Sequence, residues 1–194
     1  GGDIRFGGGT IPYHQIGNNL ALSGTNIGIV DTKIRTTGTA TLIATQNVEI
    51  RGNTTSAWVG SFGDMSVSAG GLSIYGGSAV DPISDYFALS GDIYAALVTQ
   101  GGSQTIDVHV GAIHLQAGNA NSGYGGGVAW IFGSGAVQAI KAQSIALSGG
   151  NGQFDSAFWL LRNRRGGGHG ALVLCRASGN VPKRLVRLRR EQIR

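Results

Sequence analysis

The sequence has few of the residues that crosslink, stiffen or charge a protein chain. Its 194 residues include one cysteine, three prolines and few charged side chains. Cys175 alone cannot form an internal disulfide bond, so a disulfide framework is excluded. Charged residues make up 13% of the chain, about half the usual share, and aromatic residues 7%. No apolar run approaches the ~18 residues that a membrane-spanning helix needs, so the sequence predicts no membrane span.

Glycine, by contrast, is abundant, with 35 residues. The glycines follow no Gly-x-y period, which excludes a collagen triple helix. An apolar fraction of 41% with low charge argues against intrinsic disorder. The remaining prediction is an all-β, turn-rich chain in which glycine, serine, threonine and asparagine form the corners. One domain is expected at this length, and the cysteine-poor composition is typical of a secreted bacterial protein.

A short alternating pattern recurs along the chain: two apolar residues separated by one other residue, followed by glycine. It is clearest in VQAIKAQSIALSGG, residues 137–150. Strict alternation predicts a half-buried strand, and the glycines give the backbone the freedom that a sharp turn needs. A fainter copy holds Ile4 and Phe6. We predict that the other copies supply the structural core, with these residues: Leu20, Leu22, Val48, Ile50, Leu72, Ile74, Ile113, Leu115, Ile145 and Leu147.

The later copies have three parts: a first short strand, the alternating core strand with its glycine stop, and a short run of alanine and aromatic residues. Three strands joined by turns form one coil of a parallel β-helix, and such modules bury their apolar faces only by stacking. We therefore predict a β-solenoid of about six coils, in which equivalent residues meet at the strand spacing. An antiparallel β-sandwich or a β-propeller is the alternative fold. An aromatic stack is expected from Trp58, Phe87, Trp130 and Phe158 or Trp159.

The basic charge is confined to the end of the chain. Residues 1–161 hold five basic and nine acidic side chains, a net charge of −4, whereas residues 162–194 hold ten basic and one acidic, a net charge of +9. Glycine usage, charge and strand pattern change together at Arg162, so we predict a β-helix segment over 1–161 and a basic tail over 162–194. The tail is interpreted as disordered, helical or not a natural continuation, as after a reading-frame slip. The alternative is a basic helix that binds an anionic partner.

The openings QTI at 104–106 and QAI at 138–140, with the I-x-L-x-G-G core strand, resemble the repeats of filamentous-haemagglutinin-type exoproteins. The likeness covers roughly residues 18–161. These proteins are large bacterial surface adhesins exported by two-partner secretion. The resemblance therefore implies a right-handed parallel β-helix, an adhesin role, an outer-membrane transporter as partner, and a secreted or cell-surface location in a Gram-negative bacterium.

The sequence departs from that family in two ways: the amino-terminal secretion domain is absent, and residues 162–194 match nothing in the repeats. The chain also opens on Gly1-Gly2 without an initiator methionine or a signal peptide. We interpret it as a fragment of a longer protein.

Three carboxylates offer an enzymatic alternative. Asp81, Asp85 and Asp92 are candidates for the acid and base of a polysaccharide lyase or hydrolase. Such sites need carboxylates that converge across a cleft, with basic or aromatic partners, whereas DPISD at 81–85 is also ordinary turn chemistry. Because residues 1–161 hold only five basic side chains, we predict no catalytic role.

Metal ligation has weak support. His109 and His114 lie in one repeat, but only Asp107 is near enough in sequence to complete a ligand set, so solvent-facing positions are predicted. The segment 149–155, GGNGQFD, is similar to the calcium-binding nonapeptide G-G-x-G-x-D, but Asp155 comes one residue late and no second copy follows. We predict neither a metal nor a cofactor.

The function predicted from these observations is a non-catalytic shaft segment of a secreted surface adhesin. The expected partner is a host or bacterial surface receptor or glycan, and nucleic acid is not expected. A polysaccharide-active β-helix enzyme, and a binder of nucleic acid or anionic membrane that uses the tail, are the alternatives. End-to-end self-association is also expected, because the first and last coils, around Ile4 and Leu147, would present unpaired backbone groups.

Overall fold

The computed structural model describes residues 1–7, 13–77, 93–118, 128–135 and 137–148, and the backbone of two further strands at 156–162 and 172–177. This part of the chain is all-β and contains no helix. It therefore includes no helix long and apolar enough to cross a membrane.

The described residues form fifteen strands, most of them short. Their bounds are β1 (Ile4–Phe6), β2 (Tyr13–Ile16), β3 (Leu20–Val30), β4 (Lys33–Thr36), β5 (Ala40–Arg51), β6 (Ala57–Ser61), β7 (Met65–Tyr75), β8 (Tyr94–Thr99), β9 (Gln104–Val108), β10 (Ala112–Gln116), β11 (Val128–Gly133), β12 (Gln138–Lys141), β13 (Ser144–Ser148), β14 (Ser156–Arg162) and β15 (Leu172–Ala177).

The strands belong to two sheets, and the chain alternates between them. The first sheet has the order β1-β3-β5-β7-β10-β13, with β9 beside β7 and β12 beside β9; the second has the order β15-β14-β11-β8-β6-β4-β2. Every pair in the described part is parallel except β14 with β15. Parallel neighbours far apart in sequence argue against the alternative antiparallel sandwich, in which hairpins join adjacent strands.

Equivalent residues meet in columns, by which we mean residues paired in register across neighbouring strands. One column contains Ile4, Ile27, Val48, Leu72, Ile113 and Ile145, and the next contains Phe6, Ile29, Ile50, Ile74, Leu115 and Leu147. Apart from Ile4 and Phe6, which are partly buried in edge strand β1, all of these side chains are buried. Ile74, Leu115 and Leu147 therefore share one column, as the alternating pattern predicted.

Two predicted core residues lie elsewhere than expected. Leu20 and Leu22 pair with Ala40 and Leu42 rather than joining the columns of the other core residues, and Ile27 and Ile29 take that place. Leu20 is buried and Leu22 partly buried. The sequence pattern pointed to Leu20 and Leu22 because a glycine follows Leu22 two residues later. The residues that join the columns, Ile27 and Ile29, are instead followed by Asp31.

Asp31 takes the place of the glycine stop in this copy. It follows β3 where Gly52 follows β5, and its N–H donates to the carbonyl of Arg51 (2.9 Å). Asp31 adopts a φ of 50°, the left-handed region that glycine usually occupies. Aspartate tolerates this region better than most side chains do. An aspartate thus closes the strand that glycine closes in other copies.

The aromatic residues line the opposite face of the second sheet from the shared core. The register runs Trp58, Ala96, Trp130 and Phe158, so Ala96 occupies the position expected for Phe87, which lies outside the described residues. Trp58 packs on Tyr13 and Trp130 on Tyr94, each with ring centroids 6.1 Å apart. A separate apolar cluster of Trp58, Tyr94, Ala96, Val98 and Val128 results, in place of a continuous aromatic stack.

The end of the second sheet departs from the parallel pattern. β14 crosses the predicted boundary at 161, and β15, within the predicted tail, pairs antiparallel with β14. Residues 172–177 are thus extended and paired, not helical. Division of the chain into a repeat segment and a tail stays a prediction.

Candidate functional site

Three neighbouring strands of the first sheet end in large polar side chains. Arg51 ends β5, Tyr75 ends β7 and Gln116 ends β10, and the three are adjacent in register. They point away from the buried columns, since they follow the inward-facing Ile50, Ile74 and Leu115 by one residue. Together with the turns that follow, they line a groove of about 500 Å³.

Arg51 is held in position by two neighbours. Its Nε donates to Oε1 of Glu49 (2.8 Å), which lies two residues earlier on the same face of β5. Its guanidinium carbon lies 4.1 Å from the centroid of the Tyr75 ring. A stacked cation of this kind contributes about 0.5–1 kcal/mol at an exposed site. The carboxylate and the ring together orient the guanidinium along the groove.

The turn after β5 also lines the groove, and it is fixed by Asp31. One oxygen of that carboxylate accepts the N–H groups of Asn53 (2.6 Å), Thr54 (2.9 Å) and Thr55 (3.2 Å). The other accepts the Thr54 hydroxyl (3.1 Å). A carboxylate that satisfies three backbone donors holds a turn more firmly than a neutral acceptor does. Asn53 is thereby presented at the edge of the groove.

The floor of the groove is backbone. Gly52 donates to the Tyr75 carbonyl (3.0 Å) and Gly76 to the Gln116 carbonyl (2.9 Å). A Cβ on Gly118 would lie 1.8 Å from the carbonyl oxygen of Gly77, which only glycine allows. The glycine stops that the sequence revealed therefore stack, and their lack of side chains keeps the groove open.

The described lining of the groove offers several hydrogen-bonding groups. It offers a guanidinium, two amides and a phenol, and its nearest carboxylates, Glu49 and Asp31, are engaged by Arg51 and by backbone amides. Among the described residues, no group of three histidine, cysteine or acidic side chains is placed to hold a metal ion.

Of the candidate catalytic and metal-binding residues from the sequence, the two histidines lie within the described residues, and neither lines this groove. Asp81, Asp85 and Asp92, and the segment 149–155, lie outside the described residues. His114 is on β10, on the solvent-facing side, and His109 is exposed just after β9. The two histidines thus have the solvent-facing positions that were predicted.

Sequence reasoning located the glycine stops but not the groove. The usable signal was the large polar residue directly before three of the stops, in RGN at 51–53, YGG at 75–77 and QAG at 116–118. Its meaning depends on the register, because only the pairing of β5, β7 and β10 makes these residues neighbours.

Comparison with protein-family models, with curated proteins and with solved structures finds no match to this chain. The resemblance to filamentous-haemagglutinin-type repeats therefore stays a prediction from the sequence patterns.

Proposed function

We propose that the alternating strands form successive coils of a right-handed parallel β-solenoid, and that this solenoid is a non-catalytic shaft segment of a secreted bacterial surface adhesin. The observation that carries the proposal is the pair of buried columns that continue through six strands of the first sheet. Parallel strands connected through a second sheet follow the right-handed crossover rule in nearly all proteins.

A stack of this kind suits a mechanical role. Each strand is hydrogen-bonded to the strands before and after it, so the structure extends in one direction as units are added. Six coils at the ordinary strand spacing give a rod about 25–30 Å long. The outer face of the first sheet carries short polar side chains at paired positions, such as Thr41, Ser66 and Thr105. Water can hydrate such side chains, so this face needs no protein partner to cover it.

The adhesin role, the outer-membrane transporter, the surface receptor and the Gram-negative location rest on the sequence resemblance. The shaft role further includes end-to-end association, because edge strand β1 leaves Ile4 and Phe6 only partly buried. Unpaired strand edges with apolar side chains are the usual templates for such contacts.

Small-angle X-ray scattering of the full chain over a concentration series tests the shaft. We expect an elongated particle whose cross-section stays constant while its length grows with concentration. A globular particle of fixed size would contradict the shaft. An assay for sugar release from neutral and acidic polysaccharides tests the non-catalytic part. Turnover that is lost in Asp81→Asn, Asp85→Asn or Asp92→Asn would assign an enzyme instead.

A further inference from the structure

The groove at the ends of β5, β7 and β10 contains polar groups that nothing in the described structure engages. Arg51 uses Nε for Glu49, while its two terminal nitrogens form no hydrogen bond. The side-chain amides of Asn53 and Gln116 and the hydroxyl of Tyr75 form none either, within the same described residues. Arg51 is oriented by Glu49 and Tyr75, while the other three groups have no hydrogen-bond partner among the described residues.

The mixture of donors and acceptors indicates what would satisfy them. Arg51 only donates, whereas the amides of Asn53 and Gln116 and the phenol of Tyr75 both donate and accept. A carboxylate or phosphate ligand accepts but does not donate, so it would leave the two amide oxygens without a donor. Hydroxyl groups donate one hydrogen bond and accept two, and adjacent hydroxyls match a guanidinium or an amide in pairs.

The charge of the groove also argues against an anionic ligand. Arg51 is the charged residue in the described lining of the groove, and the carboxylate of Glu49, which lies outside that lining, balances its charge at 2.8 Å. The groove therefore offers no unbalanced positive charge to a sulfated or multiply carboxylated ligand. The mixed polarity and the volume of about 500 Å³ fit a polar ligand of a few rings, within the usual range of ligand sites.

We propose that this groove binds a neutral saccharide, with Arg51 and Gln116 hydrogen-bonded to hydroxyls of one sugar unit and Asn53 to those of the next. The glycine floor lets a sugar ring approach the backbone where a side chain would block it. Because the guanidinium of Arg51 is already held by Glu49 and Tyr75, and the backbone of Asn53 by Asp31, less conformational freedom is lost when these two residues bind a ligand. This proposal goes beyond the shaft role and does not depend on it.

Titration of the ¹⁵N-labelled full chain with neutral trisaccharides tests the proposal. The probes are trisaccharides of glucose, mannose, galactose and N-acetylglucosamine, with trigalacturonate and a heparin tetrasaccharide as charged comparisons. We expect at least one neutral probe to shift the amide signals of Gly52, Gly76 and Gly118, with little effect from the charged probes. If no neutral probe shifts these signals at millimolar concentration, or if only the charged probes do, the proposal is wrong.

Substitutions locate the site. Gln116→Ala and Tyr75→Phe each remove an exposed or half-exposed polar group that has no hydrogen-bond partner within the described part of the chain, so both should fold normally and weaken binding about threefold to tenfold. Arg51→Ala should weaken it further. Arg5→Ala is the matched control, because Arg5 lies on the same face of edge strand β1 with its side chain 83% exposed and beside Asp3. Unchanged binding in Gln116→Ala and Tyr75→Phe, or an equal loss in Arg5→Ala, would overturn the assignment.

Discussion

The first sheet contains two regions that differ partway along each strand, at the point where the register between β3, β5 and β7 shifts. We call this point the bend. Between residues 20 and 75 each strand continues through the bend, and β3, β5 and β7 are 11 or 12 residues long. Between residues 104 and 148 the same span is divided into two short strands, β9 with β10 and β12 with β13. β7 pairs with β9 through its first half and with β10 through its second half, so a continuous strand lies directly beside a divided one.

The bend absorbs differences in length between neighbouring copies. Val67 and Leu72 of β7 are five positions apart, whereas their partners Ile106 and Ile113 are seven apart, yet both pairs stay in register. Backbone bonds still cross the divided bend, since Gly111 donates to the Gly70 carbonyl (2.7 Å). The buried columns thus stay in register on both sides of the bend although the strand itself is divided there.

The largest expected effect on stability comes from truncating one buried column side chain in each region. Leu115 and Ile50 are in the same column and are 1% and 0% exposed, so Leu115→Ala and Ile50→Ala should each lower the free energy of unfolding by about 2–5 kcal/mol. Urea unfolding measures both. Ile43→Ala is the control, because Ile43 is 46% exposed and should change stability by less than about 1 kcal/mol. A much smaller cost for Leu115→Ala would mean that the divided region depends on something other than its columns.

An intermediate effect is expected from glycines at the two kinds of bend. A Cβ on Gly70, in the continuous bend, would lie 2.6 Å from the carbonyl oxygen of Gln46, whereas a Cβ on Gly111, in the divided bend, would lie 3.0 Å from that of Gly70. Gly70→Ala should therefore cost about 1–3 kcal/mol through overpacking, and Gly111→Ala clearly less. Thermal unfolding of the two variants side by side measures the difference. Equal costs would show that the divided bend is as tightly packed as the continuous one.

These bends explain how far the sequence predicted the fold. Alternation with a period of two identifies strands and their inward faces wherever it is unbroken, which is why Ile74, Leu115 and Leu147 were placed in one column. Alignment between copies was harder, because the copies differ slightly in the number of residues at the bend and much more in the number of residues between strands. Leu20 was assigned to the wrong column for this reason, and because Asp31 ends its strand where a glycine was expected.

The candidate site could not be predicted from the sequence for a related reason. Arg51, Tyr75 and Gln116 are far apart in the chain and form no recognised motif, and only the register of three strands brings them together. The predicted aromatic stack stays a prediction for Phe87, which lies outside the described residues, but in register Ala96 stands between Trp58 and Trp130. Residue type and local spacing predict which face a side chain occupies, but not which distant side chain lies beside it.

The smallest expected effect concerns a charge pair found in the divided region. Lys141 Nζ lies 3.3 Å from Asp107 Oδ2 on the outer face, with the two side chains 60% and 42% exposed. In β7 the corresponding position holds Ser68, and in β5 it holds Ile43, so the continuous strands keep their register there without a charge pair. Exposed pairs of this kind usually contribute under about 1 kcal/mol, since solvent screens the charges and ordering two side chains costs entropy.

Two variants and their combination test whether this pair aligns β9 with β12. Lys141→Ala should destabilise the protein slightly, because it leaves Asp107 without its cation. Asp107→Ser copies Ser68 and also removes Oδ1, a buried oxygen with no hydrogen-bond partner in the described structure, so its two effects oppose each other. Urea unfolding of both single variants and the double variant gives the coupling energy, which we expect to stay below about 1 kcal/mol and to shrink in high salt. A larger, salt-resistant coupling would mean that charge, rather than the column of Ile106 and Ile140 behind it, sets the register of the divided strands.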